Sequence, residues 1–124
     1  MNYVFFDFRK FWEDNFKDIH KDITHLFSGK PIVNGVAGSA DSGGVCRNPL
    51  YSYAATKRKV FSFMWRIFAH EIGHNLNATH VEGAGDCRLS IMYGSMTSIA
   101  ERFCQTSINQ ITNFVNSYGR FAGN

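Results

Sequence analysis

The sequence predicts a single α+β domain, and three observations lead to that class. Apolar residues recur at helical spacing over residues 3–27, 56–76 and 99–118. Between the first two stretches, residues 32–46 are rich in glycine and small side chains, with β-prone pieces only near 32–33 and 36–41. A chain of 124 residues with 44% hydrophobic content, including 12 Phe, can build one core. We therefore expect one domain over residues 1–124.

The three helical stretches differ in their boundary signals. The first has Asp, Lys and Glu on its polar face and predicts one or two amphipathic helices that end at the "SGKP" of residues 28–31. The segment "NPLYSYAATKRK" (48–59) predicts a turn that leads into the second helix. One apolar stripe of that second helix contains Phe61, Met64, Trp65, Phe68, Ile72 and Leu76. The third helix ends at Gly119.

The stretch "HEIGHNLNATH" (70–80) has the spacing of a metal site. His70 and His74 are four residues apart, so on a helix their imidazoles lie one turn apart on one face and can reach one Zn²⁺. Glu71 points to one side of that pair, where its carboxylate can contact a water on the metal as a general base. His80 is the candidate third ligand, because a catalytic zinc takes three protein ligands and leaves one position open.

A sharp turn near Asn77 is needed for His80 to reach the same metal. Helices commonly end on a left-handed residue, for which glycine is best and asparagine next best, so Asn77 is an acceptable terminator. His70 and His74 lie off the apolar stripe, on a separate face that can line a cleft. The alternative is a surface helix with incidental histidines, which the third histidine at a suitable offset disfavours.

These residues resemble the extended zinc signature H-E-x-x-H-x-x-G-x-x-H of the metzincin metalloproteases. Within that clan the chain is most similar to the adamalysin/reprolysin branch (ADAM-like, M12B-like), whose members commonly read "HEIGHNLG" here. Four further segments are similar to that branch in the expected order: "DITHLFSGK" (22–30), "GSADSGGVC" (38–46), "SIMYG" (90–94) and "RFCQTSINQI" (102–111). The resemblance covers almost all of residues 22–124.

The chain also departs from the family pattern. The family glycine after the second histidine is Asn77, and the aspartate that usually follows the third histidine is Val81. The stretch from His80 to Met92 is compact. The opening strand and first long helix of the family have little room at the amino end, so we expect a fragment or a reduced version of the catalytic domain.

The resemblance implies a metzincin-like (zincin) fold, with a small twisted mixed sheet packed against an active-site helix and a C-terminal helix. It implies that Met92 is the Met-turn methionine beneath the three imidazoles, and that His25 is structural. It further implies a Cys87–Cys104 disulfide, which leaves Cys46 over. The family places a substrate-binding edge strand at residues 38–46, where the sequence alone allows a glycine-rich loop equally well.

The predicted function is that of a zinc-dependent endopeptidase acting on peptide or protein substrates. Zn²⁺ held by His70, His74 and His80 would activate a water, and Glu71 would be its general base. One alternative is a catalytically silent zinc-binding or interaction domain derived from a metalloprotease. Another is a zinc hydrolase of small molecules, because H-E-x-x-H alone does not define the substrate.

Charge and cysteine content give weaker information about partners and compartment. A net charge of +3 and one "KRK" run (57–59) favour a solvated face over a nucleic-acid site. No stretch approaches the ~20 apolar residues of a membrane span. The family implies a secreted protein, whose signal and pro-segment would lie outside this chain, because "MNYVFFDFRKFW" lacks the order of a signal peptide. Three free thiols in a cytosolic protein remain the alternative.

Overall fold

A computed structural model describes residues 4–32, 36–45, 52–59, 61–83, 85–95 and 97–119. Along these residues the chain forms helix α1 (Val4–Phe16), strands β1 (Thr24–Ser28), β2 (Gly38–Ala40) and β3 (Tyr53–Lys57), helix α2 (Phe61–Asn75) and helix α3 (Gln105–Phe114). A 3-10 turn (Gly85–Cys87) precedes α3, and a π-helical turn (Val115–Gly119) follows it. The fold is α+β, as the sequence predicts. None of the described helices is long and apolar enough to cross a membrane.

The three strands form one mixed sheet in the order β1-β3-β2. β1 lies parallel to β3, with Thr24 opposite Tyr53, and β2 lies antiparallel to β3, with Ser39 opposite Ala55. β2 is therefore a short edge strand, so the segment expected to be an edge strand is a strand only at Gly38–Ala40. Residues 41–45 are not in a strand, which fits the glycine-rich loop, and Cys46 lies outside the described residues. Strand β3 is central, and its Tyr53, Ala54 and Ala55 are fully buried.

The helices cover both faces of this sheet. On one face, α1 packs Phe5, Phe8 and Trp12 against β1, β3 and Ile32. On the other face lies α2, whose Phe68 ring contacts the rings of His25 and Phe27 from β1. A second apolar cluster lies between α2 and the carboxyl-terminal third of the chain; it contains Ala78, Val81, Cys87, Ile91, Met92, Ala100 and Cys104. Helix α2 is thus packed between the sheet and this second cluster.

The prediction of helix across residues 3–27 is wrong beyond Phe16. The chain leaves the helix there, and residues 24–28 form β1 instead. The local spacing of Ile23, Leu26 and Phe27 fits a helix, but pairing with the central strand stabilises the extended form, in which Leu26 and Phe27 face opposite sides of the sheet. Tertiary contacts have overridden local periodicity.

The prediction of a turn over residues 48–59 is also wrong for its second half, because Tyr53–Lys57 is β3. This strand was not predicted because alanine, at Ala54 and Ala55, is uncommon in strands. Small side chains nevertheless suit a strand that is covered on both faces. The two later helices are shorter than predicted and begin at Phe61 and Gln105. The β-prone piece at Ile32 is buried but is not in a strand, and Val33 lies outside the described residues.

The predicted apolar stripe of α2 is not its most buried face. Phe61 is 76% exposed, and the other stripe residues are only partly buried. The fully buried positions of this helix are mostly polar; they are Arg66, Ile67, His70, Glu71, Gly73 and Asn75. This difference arises because α2 is covered on two sides, and the covered sides include the face that bears the predicted site.

Candidate metal centre

The structure brings the three predicted histidines together. His70 and His74 lie on successive turns of α2, and His80 approaches from the loop that follows the helix. The Nε2 atom of His70 is 3.0 Å from Nε2 of His80 and 3.1 Å from Nε2 of His74. The three nitrogens thus converge on one point, with His70 buried and His80 exposed at the rim of a cleft.

Backbone carbonyl groups define the proton positions on two of these rings. Nδ1 of His70 donates to the carbonyl oxygen of Ile91 (2.6 Å), and Nδ1 of His74 donates to that of Ala78 (2.8 Å). A carbonyl oxygen can only accept, so in the neutral rings both Nε2 atoms have a free lone pair. Such outer hydrogen bonds are typical of histidines that bind a metal through Nε2.

The convergent lone pairs fit a cation. Two acceptor nitrogens 3.1 Å apart repel each other unless a proton or a metal ion lies between them, and His70 and His74 already have their protons on Nδ1. Around a tetrahedral zinc with N–Zn bonds of ~2.0–2.1 Å, ligand nitrogens are roughly 3.3–3.4 Å apart. The observed spacing is close to that value, so His70, His74 and His80 could hold Zn²⁺ as the sequence predicts.

Burial keeps the two helical histidines neutral, which is the state a metal ligand needs. Desolvation lowers the pKa of His70 to about 4; the hydrogen bond to Ile91 acts in the opposite direction, and the other two imidazoles lower the pKa further. The pKa of His74 is also lowered, mainly by burial, against the raising effect of its bond to Ala78. Protons therefore compete weakly for these two rings near neutral pH.

Asn77 ends α2 in the way the sequence predicts. Its φ is +73°, in the left-handed region. The amide of Asn77 donates to the carbonyl of His74, and the amide of Ala78 donates to that of Gly73, both at 2.9 Å. This pair of bonds is a Schellman motif with asparagine at the left-handed position. The family glycine is thus replaced without loss of the turn that returns His80 to the site.

Glu71 lies beside the three imidazoles and is almost completely covered, with 6% of the residue exposed. Burial raises the pKa of its carboxyl to about 8, and a positive charge nearby would favour the ionised form. The carboxylate fits only because Gly38 of β2 has no side chain: a Cβ there would lie 2.5 Å from Oε1 of Glu71. Sequence reasoning placed Gly38 in the edge segment but missed this contact, since no local signal relates Gly38 to a residue that follows it by more than thirty positions.

Met92 and Val81 are packed next to the segments that bear the three histidines. Met92 is fully buried, and its Sδ fills the space beside Gly73, where a Cβ would lie 2.5 Å from the sulfur. The backbone of Met92 accepts a hydrogen bond from the amide of Val81 at 2.9 Å. Val81, which stands where the family has aspartate, is itself buried in the second apolar cluster. The departure at this position therefore supplies packing and not a further polar group.

A cleft of about 460 Å³ opens onto the three histidines and Glu71. One wall is β2 with its flanking residues, and the opposite rim includes His80 and Gly94. The amide of Asp41 donates to the carbonyl of Tyr53, and the carbonyl of Ala37 accepts from the amide of Lys57. Because successive residues of a strand face opposite edges, the backbone groups of Gly38 and Ala40 point away from β3. They are available to an extended partner at this edge.

A buried polar network, which the sequence did not predict, connects α2 to the end of β2. The Nδ2 group of Asn75, a fully buried residue, donates to the carbonyl oxygens of Asp41 (2.9 Å) and Tyr53 (3.1 Å). The Asp41 carboxylate pairs with Arg9 of α1 and accepts from the amide of Tyr53. Its pKa is raised by burial, against the lowering effect of Arg9. The network holds the cleft wall in place relative to the histidine helix.

Two other expectations concern residues outside the centre. Cys87 and Cys104 form the disulfide that the family resemblance implies, and it joins the 3-10 turn to the start of α3. Cys46 lies outside the described residues. His25 is remote from the three histidines; its Nε2 bonds to Oγ1 of Thr56 at 2.8 Å.

Three features meet beside an edge strand of this α+β fold: an H-E-x-x-H helix, a third histidine beyond a left-handed turn, and a buried methionine. Together they define a metzincin-like domain. Residues 6–120 match the reprolysin model described as metallo-peptidase family M12. The match spans nearly the whole chain, and the chain belongs to this family.

Proposed function

We propose that this protein is a zinc-dependent endopeptidase that hydrolyses peptide bonds in protein substrates. The observation that supports this most directly is the convergence of three Nε2 atoms beside the buried carboxylate of Glu71, at the bottom of an open cleft. Membership of a metallopeptidase family supports the same chemistry. The disulfide and the family are consistent with an extracellular protein, and we propose secretion as its location.

In this proposal the residues of the chain have separate roles. His70, His74 and His80 hold Zn²⁺, which when bound supplies a Lewis acid and makes water more acidic. Glu71 takes a proton from the attacking water and then gives it to the nitrogen of the leaving amine. The outward backbone groups of Gly38 and Ala40 align the substrate main chain by β-augmentation, so that the scissile carbonyl lies near Glu71.

A silent zinc-binding domain is the second candidate, and one observation favours it. This observation is that several large apolar side chains are exposed, including Phe27 (51%) and Phe61 (76%). Exposed apolar surface of this kind is typical of protein interaction sites. The two candidates differ in a single measurable property, the turnover of peptides by zinc-loaded protein.

The first experiment is elemental analysis of zinc in the wild type and in His80→Ala, purified in parallel. We expect about one zinc per chain in the wild type, by the ligand count of a single site, and a sharp reduction in the variant. A wild-type chain without zinc would contradict the metal centre.

Glu71→Ala then separates catalysis from metal binding. This variant should retain zinc, because Glu71 is not a ligand, and should lose peptide hydrolysis by a factor on the order of 10²–10⁴ or more. Near wild-type cleavage by Glu71→Ala would exclude Glu71 as the general base. Zinc-loaded wild type that cleaves no peptide would favour the silent domain.

A further inference from the structure

The zinc-binding stretch contains a feature that the proposed chemistry does not use. Asn77, Ala78 and Thr79 form the tripeptide Asn-x-Thr, with a residue other than proline in the middle. This is the acceptor sequence for N-linked glycosylation. Because Asn77 stands where the family signature has glycine, the acceptor exists only through this substitution. No other Asn-x-Ser/Thr tripeptide with a non-proline middle residue occurs in the 124-residue sequence.

The folded structure leaves room for a sugar on this asparagine. Asn77 is exposed, and it lies on a reverse turn with φ of +73°. Its Oδ1 faces Gly43, where a Cβ would lie 2.7 Å away, so the amide nitrogen points to the other side. Within the described part of the chain, no hydrogen bond engages the Nδ2 of Asn77, so a sugar attached there displaces no contact of the fold.

The neighbouring residues show that modification is compatible with the metal centre. Ala78 is buried and supplies the carbonyl that orients His74, whereas Thr79 is exposed and bonds to Gln110 of α3 through its amide (3.1 Å) and its hydroxyl (3.0 Å). Within the tripeptide, Ala78 is thus buried while Asn77 and Thr79 are exposed. A bulky group on Asn77 extends into solvent while Ala78 keeps its place beneath the site.

We propose that Asn77 is an N-glycosylation site, so that the secreted protein has an oligosaccharide within its zinc-binding stretch. In the reaction, Nδ2 of Asn77 attacks the anomeric carbon of a polyprenyl-diphosphate-linked oligosaccharide. The new N–C bond forms as the C–O bond to the diphosphate breaks, the amide loses one proton, and no oxidation occurs. The donor acts in the secretory compartment, where the Cys87–Cys104 disulfide also forms.

The location predicts what the oligosaccharide covers. Gly43, which contacts Asn77, directly follows Ser42, a residue that lines the cleft. The amide of Gly43 also donates to the carbonyl of His74 at 2.9 Å, which holds the two segments together. Because Nδ2 of Asn77 points away from Gly43, the sugar starts on the side of this loop that faces away from Ser42 and leaves the cleft open.

The test is the mass of the full chain after expression behind a signal sequence in eukaryotic cells, before and after treatment with peptide-N-glycosidase. Both secreted and cell-retained protein are analysed, because transfer precedes secretion. We expect a mass excess that the glycosidase removes, with Asn77 converted to aspartate in the peptide that contains it. Unmodified Asn77 in both fractions would overturn the proposal, whatever the peptidase activity proves to be.

Matched variants separate the acceptor sequence from the local fold. Thr79→Ser keeps the acceptor sequence, and Thr79→Ala removes both that sequence and the hydroxyl bond to Gln110. Gln110→Ala removes the hydroxyl bond and also the bond from the amide of Thr79, but leaves the acceptor sequence intact. Asn77→Gly removes the acceptor and preserves the left-handed turn. We expect carbohydrate on Thr79→Ser and Gln110→Ala and none on Thr79→Ala or Asn77→Gly. Glycosidase-sensitive mass that persists in Asn77→Gly would place the modification elsewhere and refute the assignment.

Discussion

Gly38 of the cleft wall lies against the carboxylate of Glu71, the proposed general base. The carboxylate of Glu71 occupies the volume that a side chain at position 38 would need, and Ile67 and the carbonyl of Ala55 enclose the same space. In catalysis a displacement of about 1 Å can reduce the rate on the order of a hundredfold. The absence of an atom at Gly38 is therefore part of the positioning of Glu71.

Gly38→Ala should consequently lower kcat by about tenfold or more while zinc content stays at the wild-type level. Gly29→Ala is the matched control, because a Cβ at Gly29 has no atom within 4 Å, and it should leave kcat unchanged. The thermal stability supplies a second measurement: Gly38→Ala should lower the Tm less in a Glu71→Ala background, where space has been made. Equal Tm losses in both backgrounds would show that Glu71 is not the residue that the new methyl displaces.

His25 is a half-buried histidine whose titration concerns stability and not catalysis. Its ring packs between Phe27 and Phe68, and desolvation lowers its pKa from the ordinary 6.5 to about 4. Between those pH values the unfolded chain binds a proton that the folded chain does not. The contribution of neutral His25 to stability is therefore present above pH 6.5 and is lost as the pH falls towards 4.

Urea unfolding at pH 7 and pH 5 should reveal this difference. The free energy of unfolding of the wild type should fall more on acidification than that of His25→Gln, by on the order of 1 kcal/mol after allowance for partial solvent screening. Subtracting the variant removes the contributions of the other histidines, which both proteins share. Identical pH dependence in the two proteins would mean that His25 titrates normally in the folded state.

At the scale of elements, strand β2 and helix α2 form the two walls of the cleft. α2 holds two of the histidines and Glu71, and β2 lines the cleft with backbone groups of Gly38 and Ala40 that no described strand pairs. An edge strand beside a catalytic residue suits an extended peptide better than a small molecule, because affinity then comes from main-chain hydrogen bonds. The peptidase and the small-molecule hydrolase thus differ in their need for this edge.

Ala40→Pro tests that need. Proline removes the outward N–H of residue 40, and at an edge strand it breaks no hydrogen bond to β3. The KM for a peptide of several residues should rise about tenfold, the equivalent of one main-chain hydrogen bond, while zinc content stays constant. Hydrolysis of a small ester should not change. A parallel loss for both substrates would indicate general damage to the site and not loss of strand pairing.

The same scale shows which elements could be predicted. Helix α2 and the turn at Asn77 depend on residues within one or two turns of each other, and both were predicted, although α2 begins at Phe61 and not near residue 56. β1 and β3 depend on each other across the sheet, with Thr24 opposite Tyr53, and neither was predicted. The helical spacing of residues 17–27 led to a wrong prediction of helix. Such spacing is a local property, whereas the pairing of a strand depends on partners that are distant in the sequence.

At the scale of the whole molecule, α2 is packed between the sheet and the apolar cluster that contains Met92 and the disulfide. The other apolar cluster lies on the far face of the sheet, between the sheet and α1. Arg66 adds to the packing between α2 and the cluster that contains Met92. Its side chain donates a hydrogen bond to the carbonyl of Ala100 and stacks against Trp65. The candidate metal centre lies where α2 meets this cluster, since His70 is hydrogen-bonded to Ile91, so its geometry depends on that packing.

Removal of the disulfide should therefore affect stability and metal binding together. Cys87 and Cys104 are 17 residues apart, and a loop of this length corresponds to about 3 kcal/mol of stabilisation. The Cys87→Ser/Cys104→Ser protein should lose about that much in urea unfolding and should bind zinc more weakly, because Met92 lies in the same cluster. Reductant should destabilise the wild type by a similar amount and leave the double variant unchanged. A double variant as stable as the wild type would show that the cluster holds without the bond.

The sequence by itself determined the chemistry of the site. The spacing of His70, Glu71 and His74 on a helix and the tolerance of Asn77 for a left-handed turn are local properties, so they could be inferred before any contact was known. The tertiary structure decided which groups surround and orient these residues. The carbonyls of Ile91 and Ala78 that orient the imidazoles, the space at Gly38 and the side-chain bonds of Asn75 have no residue-type signature, because a backbone group or a missing side chain becomes specific only through what the fold brings next to it.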